Sequence, residues 1–234
     1  MNGEWNSSHY SNIMLPVLLV RMFCGVDEAG KGAVLGPMVI AAVGSDHEDL
    51  LPGIGIKDSK QLSPEKRDSL YEEITSTCST ALRVMSAGEI DTARESMTLN
   101  VLLARLHAAV ITDLSPTLAY VDACDVIAER HGHMVSNFLG CECRIVAEHH
   151  ADESFPLVSA ASIVAKVVRD REIELLKAKY GNIGSGYPSD QRTVDFLSAV
   201  IQRSGKPPEF ARASWKTVEK MITEREQVSI LDFS

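Results

Sequence analysis

Two adjacent carboxylates, Asp27 and Glu28, interrupt the apolar run CGVDEAGKGAVLGPMVIAAV of residues 24–43. A charge inside a strand-like segment is costly unless something binds it, and acids are rarely buried unpaired. Asp122 stands near the end of the apolar stretch LAYVD, and Asp125 follows it closely. Asp152 comes just after CRIVAEH, where the chain enters a long helical pattern. Functional groups of α/β sheets gather where strands end. Asp27, Glu28, Asp122 and Asp152 are therefore expected to converge from different strands on one spot. Carboxylates brought together repel, and they stay ionised together only if cations hold them. Ligation by oxygen alone selects the hard ions Mg²⁺ or Mn²⁺ over zinc. Two such ions about 4 Å apart suit in-line displacement at phosphorus, one activating a water and both stabilising the attacking and leaving oxygens. Taken singly, Asp125 and Asp152 read more readily as surface or capping acids.

The elements that would position these acids alternate along the chain. Residues 22–28 and 34–43 read as strands, and Gly30, Gly32 and Gly36 permit an irregular connection between them. Ser63 can cap a helix with Pro64 in its first position and Leu70, Ile74 and Cys78 as its apolar stripe. ALRVMS gives a short strand, residues 97–112 a helix, TLAYVDAC a strand, ERHGHMVSNFLG a helix and CRIVAEH another strand. From Phe155 onward the pattern is mainly helical. A long helix starts near Pro156 and ends at Gly181, followed by the loop GNIGSGYPSD, a helix capped by Ser189 and a last amphipathic helix from SWKT. The alternation predicts a central α/β sheet. The expected organisation is an N-terminal extension over 1–20, a catalytic domain over 21–180, a helical lobe over 181–224 and a tail over 225–234.

The chain has 234 residues and a formal net charge of −9. That balance argues against broad, non-specific nucleic-acid binding but leaves room for a local basic groove. The five cysteines are scattered without a C-x-x-C pair, as free thiols of a reducing compartment are. Cys141-x-Cys143 alone lacks the ligands of a structural zinc site. The run IMLPVLLVRMF is too short to span a bilayer, and the start MNGEWNSSHY has no basic residue of the kind a signal peptide carries. The expectation is a cytoplasmic protein without membrane contact. Met14 and Met22 are alternative starts.

The stretches GVDEAGKGAVLGP, DSKQLS, YVDACDV, ADESFPLVSAASIVAKVVRDRE and GSGYPSD, in this order, resemble the motifs of ribonuclease HII, the type 2 ribonuclease H. The likeness covers residues 22 to 218 and is nearest to the archaeal members. It implies a ribonuclease H-like α/β fold, with a mixed central sheet flanked by helices and a helical C-terminal part. It implies endonucleolytic cleavage of the RNA strand of RNA–DNA hybrids and incision 5′ to ribonucleotides embedded in duplex DNA, leaving 3′-hydroxyl and 5′-phosphate ends. By motif position, Asp27, Glu28, Asp122 and Asp152 become the metal-binding acids. Asp27 and Asp122 then take the paired-metal role, and Asp152 holds the ion or water on the other side.

Gly30-Lys31-Gly32 matches the family's Gly-Arg-Gly, whose backbone reads the ribose 2′-hydroxyl. Glycines allow that close approach, and the 2′-hydroxyl is what separates RNA from DNA. Lysine in place of arginine keeps the charge and gives up the planar fork. Without the acids nearby, the stretch would read as a plain turn. Tyr187 matches the tyrosine that packs on the sugar at the RNA–DNA junction. Asp58, Ser59 and Lys60 match phosphate-side contacts, and Lys166 a contact near the scissile strand. His149 and His150 read as structural. Lys31, Lys60 and Lys166 are expected on one basic face, making binding salt-sensitive. At the C-terminus, Gln227, Ile230 and Phe233 give Q-x-x-I-x-x-F, similar to the peptide that docks on the sliding clamp PCNA, with Ser234 where a second aromatic often stands. The expected protein is a monomer. A non-catalytic nucleic-acid-binding module, or another nuclease of ribonuclease H-like fold, is the alternative.

Overall fold

The computed structural model describes residues 22–47 and 63–231. A five-stranded sheet in the order β3-β2-β1-β4-β5 lies at the centre. Its strands are β1 (Phe23–Ala29), β2 (Met38–Ser45), β3 (Ser79–Met85), β4 (Leu118–Asp122) and β5 (Arg144–Glu148). β2 runs antiparallel to both β1 and β3, whereas β1, β4 and β5 run parallel. The unbroken apolar runs make sense in this setting. β2 is buried along its whole length because helices cover both faces of the sheet.

On one face, Cys24, Val26, Met38 and Ile40 pack with Leu103 and Ile111 of α3 (Leu99–Leu114) and with Val135 of α4 (Ala128–Phe138). On the other, Val39, Ala41 and Val43 meet Leu70 and Ile74 of α1 (Pro64–Thr77) and Leu157, Ile163 and Val164 of α6 (Pro156–Tyr180). Each of the buried Val, Leu, Ile and Met side chains contributes about 1.5–3 kcal/mol by leaving water. α6 sits unusually close to β1. A Cβ placed on Gly25 would lie 2.1 Å from the backbone carbon of Leu157, so this crossing admits only glycine.

Local signals explain most helix starts. Ser63 caps α1 and Thr98 caps α3. Three readings need correction. The second strand begins at Met38 and not at 34, because Val34 and Leu35 turn away to donate to Gly186 O at 2.8 and 3.1 Å. α2 (Ala87–Arg94) appears where no helix was expected, although Ser86 and Glu89 form a capping box there. α7 (Gln191–Ser204) is capped by Asp190, not Ser189. A third apolar cluster joins Val34 and Leu35 to Ile183, Leu197 and Ile201 and to Val218 of α8 (Lys216–Leu231). Leu35 also bridges Ala211. The C-terminal helices are thus clamped to the segment that follows β1.

No single helix among the described residues is long and apolar enough to cross a membrane. The bent pair α2–α3 matches a span by composition only, and α3 buries its apolar face against the sheet. Cys24, Cys78, Cys124, Cys141 and Cys143 are free thiols.

Candidate active site

Asp27 and Glu28 lie in the last residues of β1, just before Ala29, and strand alternation sends their side chains to opposite faces. Asp27 faces α6. Its Oδ1 accepts from the Glu28 N–H at 2.7 Å, and Ser162 of α6 hydrogen-bonds its carboxylate. Burial, then the Glu28 and Asp122 charges, push the Asp27 carboxyl well above the usual carboxylate range despite those bonds. Glu28 faces α3. Burial pushes it upward, but His107 and Lys31 outweigh that and leave it lowered. Its Oε2 lies 3.4 Å from His107 Nε2 and its Oε1 3.9 Å from Lys31 Nζ.

Asp122 ends β4, where its Oδ1 accepts from the Ala151 N–H at 3.0 Å. Burial raises its carboxyl; that bond eases the rise, and Glu28 and Asp152 add to it. Asp152 lies in the single turn α5 (Ala151–Ser154), which begins after His150 in a left-handed conformation at φ 58°. Ligand atoms of His150, Asp152 and Glu153 lie within 4.8 Å of one another. The remaining acid, Asp125, is tied elsewhere. Arg130 Nε donates to it at 2.9 Å and Asn100 at 3.1 Å, and Arg130, then the Ile127 N–H, hold its carboxyl down to about 2. It closes the turn before α4 by accepting from the Ile127 N–H at 3.1 Å. His149 faces Val126 O at 3.2 Å.

Asp27, Glu28, Asp122 and Asp152 therefore form one electrostatically connected set at adjacent strand ends. Burial first, and mutual repulsion after it, raise Asp27 and Asp122, and a divalent cation is the counter-charge that offsets both. The donor set fits hard cations.

The loop after β1 borders this set. Gly30 has φ +84°, and a Cβ there would lie 2.5 Å from Arg169 Nε and 2.8 Å from Pro37 O. Gly32 has open space at its Cβ position. Lys31 turns inward, its Nζ donating to Cys124 O at 2.8 Å. Lys166 also turns inward, onto Ser162 Oγ at 2.7 Å, and so backs Asp27. Both lysines are part-buried and held by protein partners. Tyr187 is half-buried with the Arg169 guanidinium 4.4 Å from its ring centre. Gly186, just before it, is bound to Val34 and Leu35, which brings Tyr187 beside the glycine loop. Arg212, fully buried, donates to Gly36 O and to Lys31 O at 3.2 Å and fixes the loop from beneath. Burial, then the Arg169 charge, holds its guanidinium down to about 10.

A cleft of about 860 Å³ extends from Tyr187 along α6 to α1. Arg67, Arg169, Arg171 and Lys177 line it, and so do Asp68, Asp170 and Glu174. Asp58, Ser59, Lys60 and Phe233 lie outside the described residues. Gln227 is exposed on α8, and Ile230 falls in that helix's last turn.

Sequence reasoning missed Ser162, Arg169, Arg212 and His107. For Ser162 and Arg169 a signal existed. With Lys166 they stand at i, i+4 and i+7, on one face of α6. Arg212 carries no such signal, since only the tertiary fold buries it.

A profile of the Ribonuclease HII family matches residues 24–218. Ribonuclease HII of Methanoregula boonei is 55% identical over 212 residues, covering 91% of this chain and all of the relative. Ribonuclease H2 of Pyrococcus horikoshii superposes with a TM-score of 0.82 at 38% identity, covering 88% of this chain and 99% of that one. The ribonuclease HII of the PCNA:RNase HII complex from Archaeoglobus fulgidus superposes with a TM-score of 0.79 at 47% identity, covering 85% and 96%. The chain belongs to the ribonuclease HII family, metal-dependent endoribonucleases of ribonuclease H-like fold, and is similar to archaeal members.

Proposed function

We propose that this ribonuclease HII hydrolyses the RNA strand of RNA–DNA hybrids and incises duplex DNA on the 5′ side of embedded ribonucleotides, using two Mg²⁺ or Mn²⁺ ions. The observation that carries the proposal is the meeting of Asp27, Glu28, Asp122 and Asp152 beside a glycine loop and a tyrosine held together by one arginine. Asp27, Glu28, Asp122 and Asp152 would hold the cations, Asp27 and Asp122 in the paired-metal role. Bound there, the ions supply an activated water and charge stabilisation on the attacking and leaving oxygens.

The protein's own groups set the specificity. Gly32 has no protein atom near its Cβ position, which leaves clearance for a ribose against the backbone. A backbone N–H or carbonyl of Gly30-Lys31-Gly32 can then pair with the 2′-hydroxyl, and a deoxyribose offers no such partner. Tyr187, stiffened by Arg169, packs on the next sugar. Lys166, through Ser162, keeps Asp27 oriented. Asp58, Ser59 and Lys60 are assigned to the phosphates on motif position alone.

The protein works as a cytoplasmic monomer, with a catalytic domain over 21–180 and a helical lobe over 181–224. The tail from 225 docks on a PCNA-type clamp through Gln227, Ile230 and Phe233. Supporting this, the similar Archaeoglobus fulgidus protein is described in complex with PCNA.

The test is a labelled duplex with one embedded ribonucleotide, incubated with Mg²⁺, Mn²⁺ or chelator. Metal-dependent incision 5′ to the ribonucleotide, lost in Asp122→Asn, is expected. Binding without cleavage under either metal would make the protein a nucleic-acid-binding module. Cleavage blind to the ribonucleotide would make it a different nuclease.

A further inference from the structure

Behind the acids, on the α3 side of the sheet, lies a cluster that the ribonuclease reading leaves unused. His107 of α3 and His131 of α4 are both 0% exposed, and Cys124 sits in the turn after β4. Ligand atoms of these three residues lie within 4.8 Å of one another. Glu28 extends into the same space. Its Oε2 is buried and has no hydrogen-bond partner, although His107 Nε2 is only 3.4 Å away. Cys124 Sγ is 3.9 Å from the same Nε2.

These separations are those of ligands around one ion. Tetrahedral zinc, with bonds of about 2.0–2.1 Å to nitrogen and oxygen and about 2.3 Å to sulfur, sets N and O about 3.4 Å apart and N and S about 3.6 Å apart. The carboxylate–imidazole pair already has that spacing, and the thiol needs to move by a few tenths of an ångström. We propose that Glu28, His107 and Cys124 form a binding site for a thiophilic divalent cation of the Zn²⁺ class, with His131 as the hydrogen-bond partner that fixes the His107 ring.

His131 is placed to orient the His107 ring. His131 Nε2 lies 3.1 Å from His107 Nδ1, with the rings nearly perpendicular. When His107 binds through Nε2, its Nδ1–H donates to His131, as the free ring nitrogen of a metal-bound histidine does. Charge also fits. One thiolate and one carboxylate neutralise a doubly charged ion, which suits a buried site. Binding forms a metal–sulfur bond and releases to solvent the thiol proton that now points at Asp122 O, 3.8 Å away. Mg²⁺ has little affinity for thiolate and imidazole, so the site discriminates by ligand softness. A loaded site turns Glu28 away from the hard cations. The ion is then an inhibitor of cleavage, a consequence that rests on the proposed role of Glu28, whereas the site itself does not.

Co²⁺ titrated into the full-length protein, reduced and in excess Mg²⁺, reads the site without reference to cleavage. One equivalent should produce a thiolate charge-transfer band with the visible bands of a tetrahedral ion, displaced by Zn²⁺. Cys124→Ala should lose the charge-transfer band, and His131→Phe should weaken Co²⁺ binding by about tenfold or more. No charge-transfer band, or one that survives in Cys124→Ala with unchanged affinity, overturns the proposal. Thermal unfolding of Cys124→Ala confirms that the variant is folded. In cleavage assays at saturating Mg²⁺, micromolar Zn²⁺ should inhibit the wild type at least about tenfold more than Cys124→Ala. A cobalt site without zinc inhibition upholds the site and counts against Glu28 as a catalytic ligand.

Discussion

Asp27 and Glu28 are neighbours in the chain with opposite surroundings. One leans on Ser162 and α6, the other on His107 and α3, and their carboxyls shift in opposite directions. The raised Asp27 and Asp122 hold protons more tightly folded than unfolded. Above the ordinary carboxylate pKa, the metal-free fold therefore loses stability as pH rises through their raised values. The lowered Glu28 works the other way, and its contribution is lost as pH falls. In chelator at neutral pH, Asp122→Asn should therefore melt above the wild type, because Asn Oδ1 still accepts from Ala151 and the repulsion is gone. Adding Mg²⁺ should raise the wild type and leave the variant nearly unmoved. Calorimetry with and without metal decides this, and an Asn variant less stable in chelator would remove repulsion as the organising force. The glycine loop gives a second contrast. Gly30→Ala places a Cβ against Arg169 and Pro37 at φ +84° and should cost about 1–3 kcal/mol of stability. Gly32→Ala meets open space, so it should unfold like the wild type while losing selectivity for ribonucleotide-containing duplex. Equal destabilisation of both variants, measured in urea, would deny the loop this division.

At the scale of elements, β1 and α6 carry the site between them. β1 supplies Asp27, Glu28 and the loop, and α6 brings Ser162, Lys166 and Arg169 onto one face. Their contact depends on Gly25, whose missing side chain lets the start of α6 touch the strand. Gly25→Ala should cost at least about 2 kcal/mol by overpacking against backbone. Cleavage should fall with it, since every α6 group shifts relative to Asp27. A folded variant with wild-type activity, checked by denaturant melts and single-ribonucleotide cleavage, would show that the contact is not fixed. The same elements show what was legible. Both central strands and the long helix follow from apolar runs, and the placing of Asp27, Glu28 and Asp122 near strand ends from charge placement, whereas Asp152, in the turn α5, joins them only by motif position. Where the second strand begins does not follow from the apolar runs, because Val34 and Leu35 are as apolar as the strand and leave it for Gly186, 151 or more residues away in sequence. The inward turn of Lys31 and Lys166 is not legible either, for the same reason. Their inward partners, Cys124 O and Ser162 Oγ, are set by packing and not by local sequence.

Across the whole molecule, catalytic sheet and C-terminal helices are coupled at the active-site loop. Leu35 bridges Ala211, Arg212 holds Gly36 O and Lys31 O, and Asp91 accepts from Ala213 and Ser214 at 2.7 and 3.1 Å. The helical part is therefore a support for the loop and its Tyr187 neighbour. The cleft cations are mostly paired, Arg67 with Asp170, Arg171 with Asp68 and Lys177 with Glu174, so an acidic protein presents little free positive field there. Affinity for duplex must then come from a few fitted contacts, and a tether to the clamp would raise local concentration without enlarging the groove. α8 separates these roles along its length. Val218, Met221 and Ile222 pack in the third cluster, whereas Gln227 is exposed beyond them. Removing residues 227–234 should shift the melting temperature by no more than about 2 °C and leave cleavage of a free ribonucleotide-containing duplex intact. The same truncation should abolish binding to immobilised PCNA. If the truncated protein still binds the clamp with wild-type affinity, docking does not run through Gln227, Ile230 and Phe233. If it loses free-duplex cleavage instead, the last turn of α8 belongs to the support of the active-site loop.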